Sequence, residues 1–128
     1  MNEHRLPVRV YYEDTDCMGV VYHANYLRFM ERARSEALAS HGSTVAQWGE
    51  KGVTFPIYKV AITFKAPARL FDELVVVTSV RRESPFRIVF DQRIELAQGG
   101  KLLTKARVDV VCVERGRLCE FPDEALPG

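Results

Sequence analysis

The sequence predicts an α+β protein in which an antiparallel sheet wraps around one long helix. Apolar residues recur at three- and four-residue steps from about Tyr22 to Ser40, as in an amphipathic helix. After Gly52, apolar and polar residues alternate in a series of segments, as in strands with one buried face. The connections between these segments are short, which favours antiparallel neighbours because parallel neighbours need long crossovers. Only this sheet is available to bury the apolar stripe of the helix.

The amino-terminal part is predicted to contain one strand and two helices. Residues 8–13 contain β-branched and aromatic side chains in rough alternation and are predicted to form the first strand. Turn-forming residues follow over 14–19, and the long helix is predicted over 22–40. A short second helix is predicted over 43–51, ending at a glycine.

Four consecutive strands are predicted in the rest of the chain. They cover residues 58–65, 74–80, 86–96 and 102–113, with a hairpin turn at 98–101. The face of the sheet that points away from the helix is expected to expose valines. These are Val75 and Val77, or Val111 and Val113. An exposed apolar face of this kind suggests a second subunit.

Length and composition indicate one globular domain over residues 1–128, with a loose tail rich in proline and acid from about residue 120. The 18 basic and 17 acidic residues leave a net charge of +1, which argues against a nucleic-acid-binding protein. No apolar run approaches the ~20 residues that a membrane span needs. Three cysteines cannot all pair, so free thiols and a cytoplasmic location are predicted.

The junction between the first strand and the long helix concentrates reactive side chains. They are Asp14, Asp16, Cys17, His23 and Asn25. One interpretation is that the carboxylates cap the helix and interact with its dipole. Direct capping is awkward, however, because a glycine and two valines separate the carboxylates from the helix start.

A second interpretation of the junction is catalytic. The unpaired N–H groups at a helix start can polarise a carbonyl group or bind an oxyanion. A nearby carboxylate could then attack that carbonyl or activate water, as ester or thioester hydrolysis requires. A metal site at Asp14, Asp16 and His23 is a weaker alternative, because no further ligands are evident. Cys17 is a poor nucleophile in this acidic stretch, which disfavours a thiolate.

The segment YYEDTDCMGVVYHANYLRFMERARSEAL, residues 11–38, resembles the signature of the 4-hydroxybenzoyl-CoA thioesterase family of hotdog-fold proteins. It is most similar to the branch associated with the Tol-Pal system. The resemblance implies a hotdog fold, an antiparallel sheet wrapped around the long helix. It also implies a homodimer, often paired into a homotetramer, with active sites at the dimer interface.

The resemblance further implies roles for individual residues. Asp16 corresponds to the catalytic carboxylate, and the backbone N–H of His23 would bind the thioester oxygen. The candidate substrate-binding residues are Tyr22, Asn25, Tyr26, Cys17 and Gly19. The pair Cys17-Met18 departs from the smaller residues usual in this branch, and its bulk is expected to reshape the acyl pocket.

The predicted activity is hydrolysis of an acyl-CoA to a carboxylic acid and CoA, without a metal or redox cofactor. Asp16 would be the nucleophile or the general base, and Asp14 would shape the loop. For the imidazole of His23, the alternative is a structural role as a hydrogen-bonding group at the helix start. Candidate partners for the CoA phosphates are Lys65, Arg69 and Arg82.

Two other functions are compatible with the same scaffold. The first is a non-catalytic module that binds acyl-CoA or an acyl carrier protein, although a bare carboxylate in an acyl pocket is costly without a role. The second is a dehydratase of the hotdog fold, which the motif disfavours.

Overall fold

Seven strands form a single sheet in the computed structural model, which describes residues 3–126. The strands are β1 (His4–Arg9), β2 (Val53–Thr54), β3 (Ile57–Phe64), β4 (Glu73–Ser84), β5 (Arg87–Leu96), β6 (Leu102–Glu114) and β7 (Arg117–Cys119). The helices are α1 (His23–Ala39) and α2 (Val45–Glu50), and short 3-10 turns occupy Tyr12–Asp14 and Asp123–Ala125. None of the helices within residues 3–126 is long and apolar enough to cross a membrane.

All the strand pairs are antiparallel, as the short connections predict. The order β1-β4-β5-β6 forms the main part of the sheet. Strand β6 is the longest and also pairs with β3, β2 and β7. Within residues 3–126, β3 pairs only with β6, so it is an edge strand.

Helix α1 packs on the inner face of the sheet, as its apolar period predicts. Its buried apolar residues are Tyr26, Phe29, Met30, Ala33, Ala37 and Leu38. The first four of these share a core with buried side chains of β4 and β5 such as Leu74, Val76 and Ile94. Leu38 belongs to a second core cluster, which includes Val80, Ile88 and Phe90. The predicted architecture of a sheet around one long helix is therefore confirmed.

A buried polar network joins α1 to the middle of the sheet. The Gln92 amide donates hydrogen bonds to the Met30 carbonyl oxygen, at 2.9 Å, and to the Thr78 hydroxyl, at 3.0 Å. The Arg34 guanidinium donates to the Gln92 side-chain oxygen at 3.0 Å. Burial lowers the pKa of Arg34, because the charged guanidinium loses hydration. The network therefore fixes the position of the helix along the sheet.

The first strand lies earlier in the chain than residues 8–13, so that prediction was wrong in position. Strand β1 pairs over His4–Arg9 with residues 73–78 of β4. The chain then turns, because the Asp14 carboxylate accepts a hydrogen bond from the Tyr11 N–H at 2.9 Å. The Asp14 N–H donates in return to the Tyr11 carbonyl oxygen at 2.9 Å. These local bonds replace the strand with a 3-10 turn.

The outer face of the sheet does not expose the predicted valines. Val77 is only 1% exposed, because it lies between Arg5 of β1 and Arg93 of β5. Both arginines form ion pairs with Glu3, and the apolar stems of such side chains cover neighbouring surface. The other three valines are partly buried; they are Val75, Val111 and Val113. The predicted exposure is therefore wrong for Val77 and only partial for the other three valines.

The segment from Glu120 to Leu126 is packed, in contrast to the predicted loose tail. Phe121 is 3% exposed, and its ring stacks on Phe55 with the centroids 5.7 Å apart. Its N–H donates to the Pro85 carbonyl oxygen, and its carbonyl oxygen accepts from Arg82 at 3.2 Å. Ala125 is also buried, and Leu126 packs against the same core, so apolar residues inside an acidic segment anchor it. Residues 127 and 128 lie outside the described residues.

Replacing Phe121 with alanine is expected to lower the free energy of unfolding by about 3 kcal/mol, because it removes a buried ring and its stack on Phe55. Urea denaturation of both proteins measures the difference. Glu124→Ala, in the same segment but exposed, is the control and should change stability little. Equal stability of Phe121→Ala and the parent chain would contradict the packing described.

A second prediction concerns acid stability. The Arg107 guanidinium, 2.9 Å from the Asp109 carboxylate, holds the pKa of Asp109 below its usual value. The folded state thus favours the ionised carboxylate, and this stabilisation is lost as pH falls below about 4 through the lowered pKa.

Asp109→Asn should therefore be less stable than the parent at neutral pH, and the difference should shrink below about pH 4. Unfolding curves across this range test the expectation. The exposed Asp123, 3.4 Å from Arg82, provides the matched control Asp123→Asn. Parallel pH profiles for the parent and Asp109→Asn would be evidence against it.

Candidate active site

Asp14 anchors the loop that leads into α1. Its backbone carbonyl oxygen accepts hydrogen bonds from the Tyr22 N–H, at 3.0 Å, and from the Asn25 side-chain amide, at 2.9 Å. Its carboxylate is used by the Tyr11 N–H. The side chain of Asn25 therefore reaches back from the first turn of the helix and holds the loop against it.

Asp16 begins a tight turn that returns to the helix start. Its N–H donates to the Val20 carbonyl oxygen at 2.9 Å, and its own carbonyl oxygen accepts from the Gly19 N–H at 3.1 Å. Gly19 has φ of 77°, in the left-handed region that glycine occupies without strain. One carboxylate oxygen of Asp16 accepts from the Met18 N–H at 2.8 Å. Cys17 and Met18 are exposed at the tip of this turn.

The turn is docked on the segment after β3. The Val21 N–H donates to the Ala68 carbonyl oxygen at 2.9 Å. The Ala68 N–H donates in turn to the hydroxyl of Tyr26, at 3.0 Å. Burial raises the pKa of Tyr26, so this hydroxyl stays protonated as a neutral partner. Ala68 thus binds the turn through its carbonyl oxygen and the helix through its N–H.

The amino end of α1 has no side-chain cap. His23 is the first helical residue, and the N-cap residue Tyr22 makes no capping hydrogen bond. The first turn also contains no acidic residue. The partial positive charge and the unpaired N–H groups of a helix start are therefore available to a ligand here. The His23 ring is exposed and packs between Tyr22, at 4.5 Å, and Phe64, at 6.3 Å between centroids.

A hollow of about 280 Å³ lies beside this end of the helix. It is smaller than a groove of about 410 Å³ elsewhere on the surface. The smaller hollow is lined by Val21, His23 and Tyr26 together with residues 64–67. Its walls are mostly apolar side chains, and Lys65 is the lysine among them. The sequence indicated the helix-start side of this hollow and named Lys65 as a candidate partner for CoA phosphates, but it did not place Phe64 or Lys65 opposite the helix start.

The structure separates the predicted site residues into two groups. His23 and Tyr26 line the hollow, whereas Cys17 and Gly19 lie on the adjoining turn with Asp16. Thr15 pairs with Val21 across the base of that turn, and Val21 lines the hollow. Asp16 follows Thr15 directly, so it lies next to the residue that pairs with this wall. The Asn25 side chain is bound to Asp14, and Tyr22 is 47% exposed at the entry to the helix.

The larger groove lies between α1 and the edge strand β3. It has a volume of about 410 Å³ and is lined by Leu27, Arg28, Glu31, Arg32, Arg34, Ile57 and Val60. Val60 is 39% exposed and Phe64 47%, so the face of β3 that was predicted to be buried is largely open. The sequence pattern could not reveal this, because alternation does not distinguish an edge strand from an inner one.

The three basic residues predicted to meet CoA phosphates have different surroundings. Lys65 lines the hollow, and Arg69 pairs with Val20 beside the turn. Arg82 instead binds the carboxyl-terminal segment through Phe121 and Asp123, so it is not free for a phosphate. Among residues 3–126, no three His, Cys, Asp or Glu side chains gather as a potential metal site.

The sequence of the chain is similar to those of known thioesterases. The model of the thioesterase-like superfamily matches residues 10–127. The acyl-CoA thioester hydrolase YbgC of Escherichia coli O6:H1 is 46% identical over 110 residues, which cover 86% of this chain and 81% of the relative. The acyl-CoA thioesterase YbgC of Haemophilus influenzae is 43% identical over 126 residues, covering 96% of this chain and 91% of the relative.

Solved structures agree with the sequence relatives. A 1,4-dihydroxy-2-naphthoyl-CoA thioesterase from Synechocystis superposes with a TM-score of 0.90 at 26% identity, covering 96% of this chain and 92% of its own. A probable thioesterase from Bartonella henselae gives a TM-score of 0.88 at 31% identity, covering 94% and 100%. The predicted hotdog fold is therefore confirmed, and the chain belongs to the thioesterase-like superfamily.

Proposed function

We propose that this chain hydrolyses acyl-CoA thioesters to a carboxylic acid and CoA. The observation that carries the proposal is the uncapped amino end of α1, which borders an apolar hollow and adjoins the turn of Asp16. The names of the relatives from Escherichia coli and Haemophilus influenzae support the same reaction. A cytoplasmic location is part of the proposal, since the three cysteines have free thiols, as is usual in a reducing compartment.

The helix start would stabilise the charge that develops on the thioester oxygen. In this mechanism the backbone N–H of His23 donates to that oxygen, and the helix dipole adds a favourable field. Asn25 and Tyr26 act as positioning residues, because one holds the helix start to Asp14 and the other holds it to Ala68. Their hydrogen bonds are made before substrate arrives, so little reorganisation is needed during the reaction.

Asp16 would supply the attacking group, by one of two routes. As a nucleophile, its carboxylate attacks the thioester carbonyl carbon, the CoA thiolate leaves and is protonated, and water then hydrolyses the resulting anhydride. As a general base, Asp16 removes a proton from water while the water oxygen attacks, and the tetrahedral intermediate expels the CoA thiolate. One carboxylate oxygen of Asp16 accepts a hydrogen bond from the Met18 N–H, which would leave the other oxygen free for either role.

The surroundings of the hollow would determine how substrate is held. Lys65 supplies a positive charge close to the helix start, suited to a CoA phosphate. Gly19 lets the turn fold tightly, and the exposed side chains of Cys17 and Tyr22, beside Asp16 and at the helix start, would contact the substrate from the solvent side. The exposed bulk of Cys17 and Met18 would limit the acyl group on that side.

A second copy of the chain is proposed to cover the β3 edge. Strand β3 has an unpaired side within residues 3–126, and unpaired edges with exposed apolar residues tend to associate. Leu27 is 41% exposed, Ile57 49% and Val60 39%, and all three line the groove beside that edge. Antiparallel pairing of two β3 strands would continue the sheet and close the groove. The assembly would be a homodimer or a pair of homodimers.

Asp16→Asn is expected to lower kcat at least about 100-fold, because it removes the proposed nucleophile or base. A thiol-release assay with short, long and aromatic acyl-CoAs, and with acyl-carrier-protein thioesters, measures the loss. Asp14→Asn is the comparison variant, since its carboxylate contacts a backbone N–H and not the hollow.

The outcomes of this assay separate the proposals. Full activity of a folded Asp16→Asn protein would contradict the role of Asp16 while leaving the thioesterase proposal intact. Failure of the parent chain to release CoA from every thioester would instead favour a non-catalytic acyl-binding module. Incorporation of oxygen-18 in a single turnover distinguishes the two routes for Asp16.

Val60→Lys should shift the chain toward monomer, because it places a charge on the apolar side of the proposed interface. Size-exclusion chromatography with light scattering measures the mass in solution. Leu118→Lys is the control, since Leu118 is 66% exposed on β7 and lies outside the groove. The same oligomer for both variants and the parent would count against the β3 interface.

A further inference from the structure

Cys112 and Cys119 face each other across the hairpin of β6 and β7. They are direct partners in the strand register, and their Sγ atoms are 3.0 Å apart. The hairpin turns at Arg115 and Gly116, both of which have positive φ. The sequence showed no pairing of these cysteines, because β7 has only three residues and was not predicted. The pair lies outside the hollow of the proposed active site and outside the groove of the proposed interface.

The hairpin geometry suits a disulfide. Residues directly opposite each other in an antiparallel pair have Cα atoms about 4.5–5.5 Å apart. That spacing falls within the range in which two cysteines can be bridged without moving the backbone. A buried cysteine often serves only as a small apolar side chain. Such a role would not require a second thiol at the facing position with the two sulfur atoms in contact.

The two thiols differ in their access to solvent. Cys112 is 0% exposed, whereas Cys119 is partly exposed. Burial and the neighbouring thiol raise the pKa of Cys112 to about 12. A reagent from solution therefore meets Cys119 first, and Cys112 is positioned behind it as a second thiol.

We propose that Cys112 and Cys119 form a redox site that closes to an intramolecular disulfide by exchange with a small-molecule disulfide such as oxidised glutathione. The Cys119 thiolate attacks one sulfur of the oxidant, whose S–S bond breaks and releases one thiolate that takes up a proton. Cys112 then loses its proton and attacks the Cys119 sulfur, which releases the second thiol. Two protein thiols are oxidised, and one disulfide is reduced to two thiols.

Closure of this disulfide fastens the carboxyl-terminal segment. Strand β7 is held by three register pairs with β6, and Cys119 comes two residues before Phe121. Phe121 is the point at which the segment is anchored, by its stack on Phe55 and its hydrogen bond from Arg82. A covalent bond at Cys119 therefore fixes β7 to β6 immediately before Phe121. In a reducing compartment the pair remains as thiols and closes when the glutathione pool becomes oxidised.

The experiment uses the full chain carrying Cys17→Ser, which removes the exposed third thiol. The protein is incubated with oxidised glutathione, its remaining thiols are alkylated, and it is digested with trypsin without reductant. Because Arg115 and Arg117 lie between the cysteines, trypsin separates the two cysteine peptides unless a disulfide joins them. We expect a joined pair that dithiothreitol separates, and slower amide hydrogen exchange over residues 117–126 in the oxidised protein.

Two variants in the same background test the order of the steps. Cys112→Ala should stop at a mixed disulfide between glutathione and Cys119, because the second thiol is missing. Cys119→Ser keeps the buried thiol and should react much more slowly, and circular dichroism checks that each variant is folded. The proposal is overturned if folded protein with both cysteines accumulates only the glutathione adduct, or if both thiols remain open to alkylation. None of these measurements depends on thioesterase activity.

Discussion

The packing of α1 against the inner face of the sheet is the constraint on which the rest of the structure depends. An apolar stripe alone would let a helix slide or rotate on a sheet, because burial of apolar area has no direction. Gln92 removes that freedom, since its amide donates to the carbonyl oxygen of Met30 in the middle of the helix. A fixed helix axis means a fixed amino end. The loop from Asp14 to Tyr22 is then attached to that end by backbone and side-chain hydrogen bonds, which is the kind of rigid support that a catalytic site needs.

The same contact between helix and sheet buries a charge, and this limits how a second copy can bind. Arg34 makes no ion pair within residues 3–126, and its hydrogen bond goes to the neutral amide of Gln92. Glu31 supplies a favourable charge nearby without forming an ion pair, so the remaining N–H groups of the buried guanidinium still need water or an acceptor. The groove beside β3, which Arg34 lines, leaves room for either. A partner that closes the groove must therefore bring an acceptor or retain water, and apolar contact at Val60 is not sufficient by itself.

The features that could be predicted from the sequence are those that depend on near neighbours in the chain. The period of α1 and the presence of four strands after Gly52 are local patterns, and both were confirmed, whereas the buried face predicted for β3 was wrong. The burial of Val77 depends on Arg5 and Arg93, which the strand order brings to its two sides from distant parts of the chain. The anchoring of Phe121 likewise depends on Phe55, more than sixty residues earlier. Alternation made Val77 look exposed and composition made the tail look loose, because neither carries information about which strands become neighbours.

The candidate site divides in the same way, and the division has a physical origin. Asp16 and His23 could be associated from the sequence because a strand, a turn and a helix start must follow one another within a few residues. The opposite wall of the hollow comes from Phe64 and Lys65, at the far end of an edge strand. What brings that wall to the helix is Ala68, whose peptide group bonds to the turn on one side and to Tyr26 on the other. A tyrosine hydroxyl that accepts a backbone hydrogen bond leaves no trace in the hydrophobic period of its helix, where Tyr26 counts only as an apolar residue. The sequence offered Lys65 only as a partner for CoA phosphates, and its place in this wall depends on the contacts of Ala68 with the turn and with Tyr26.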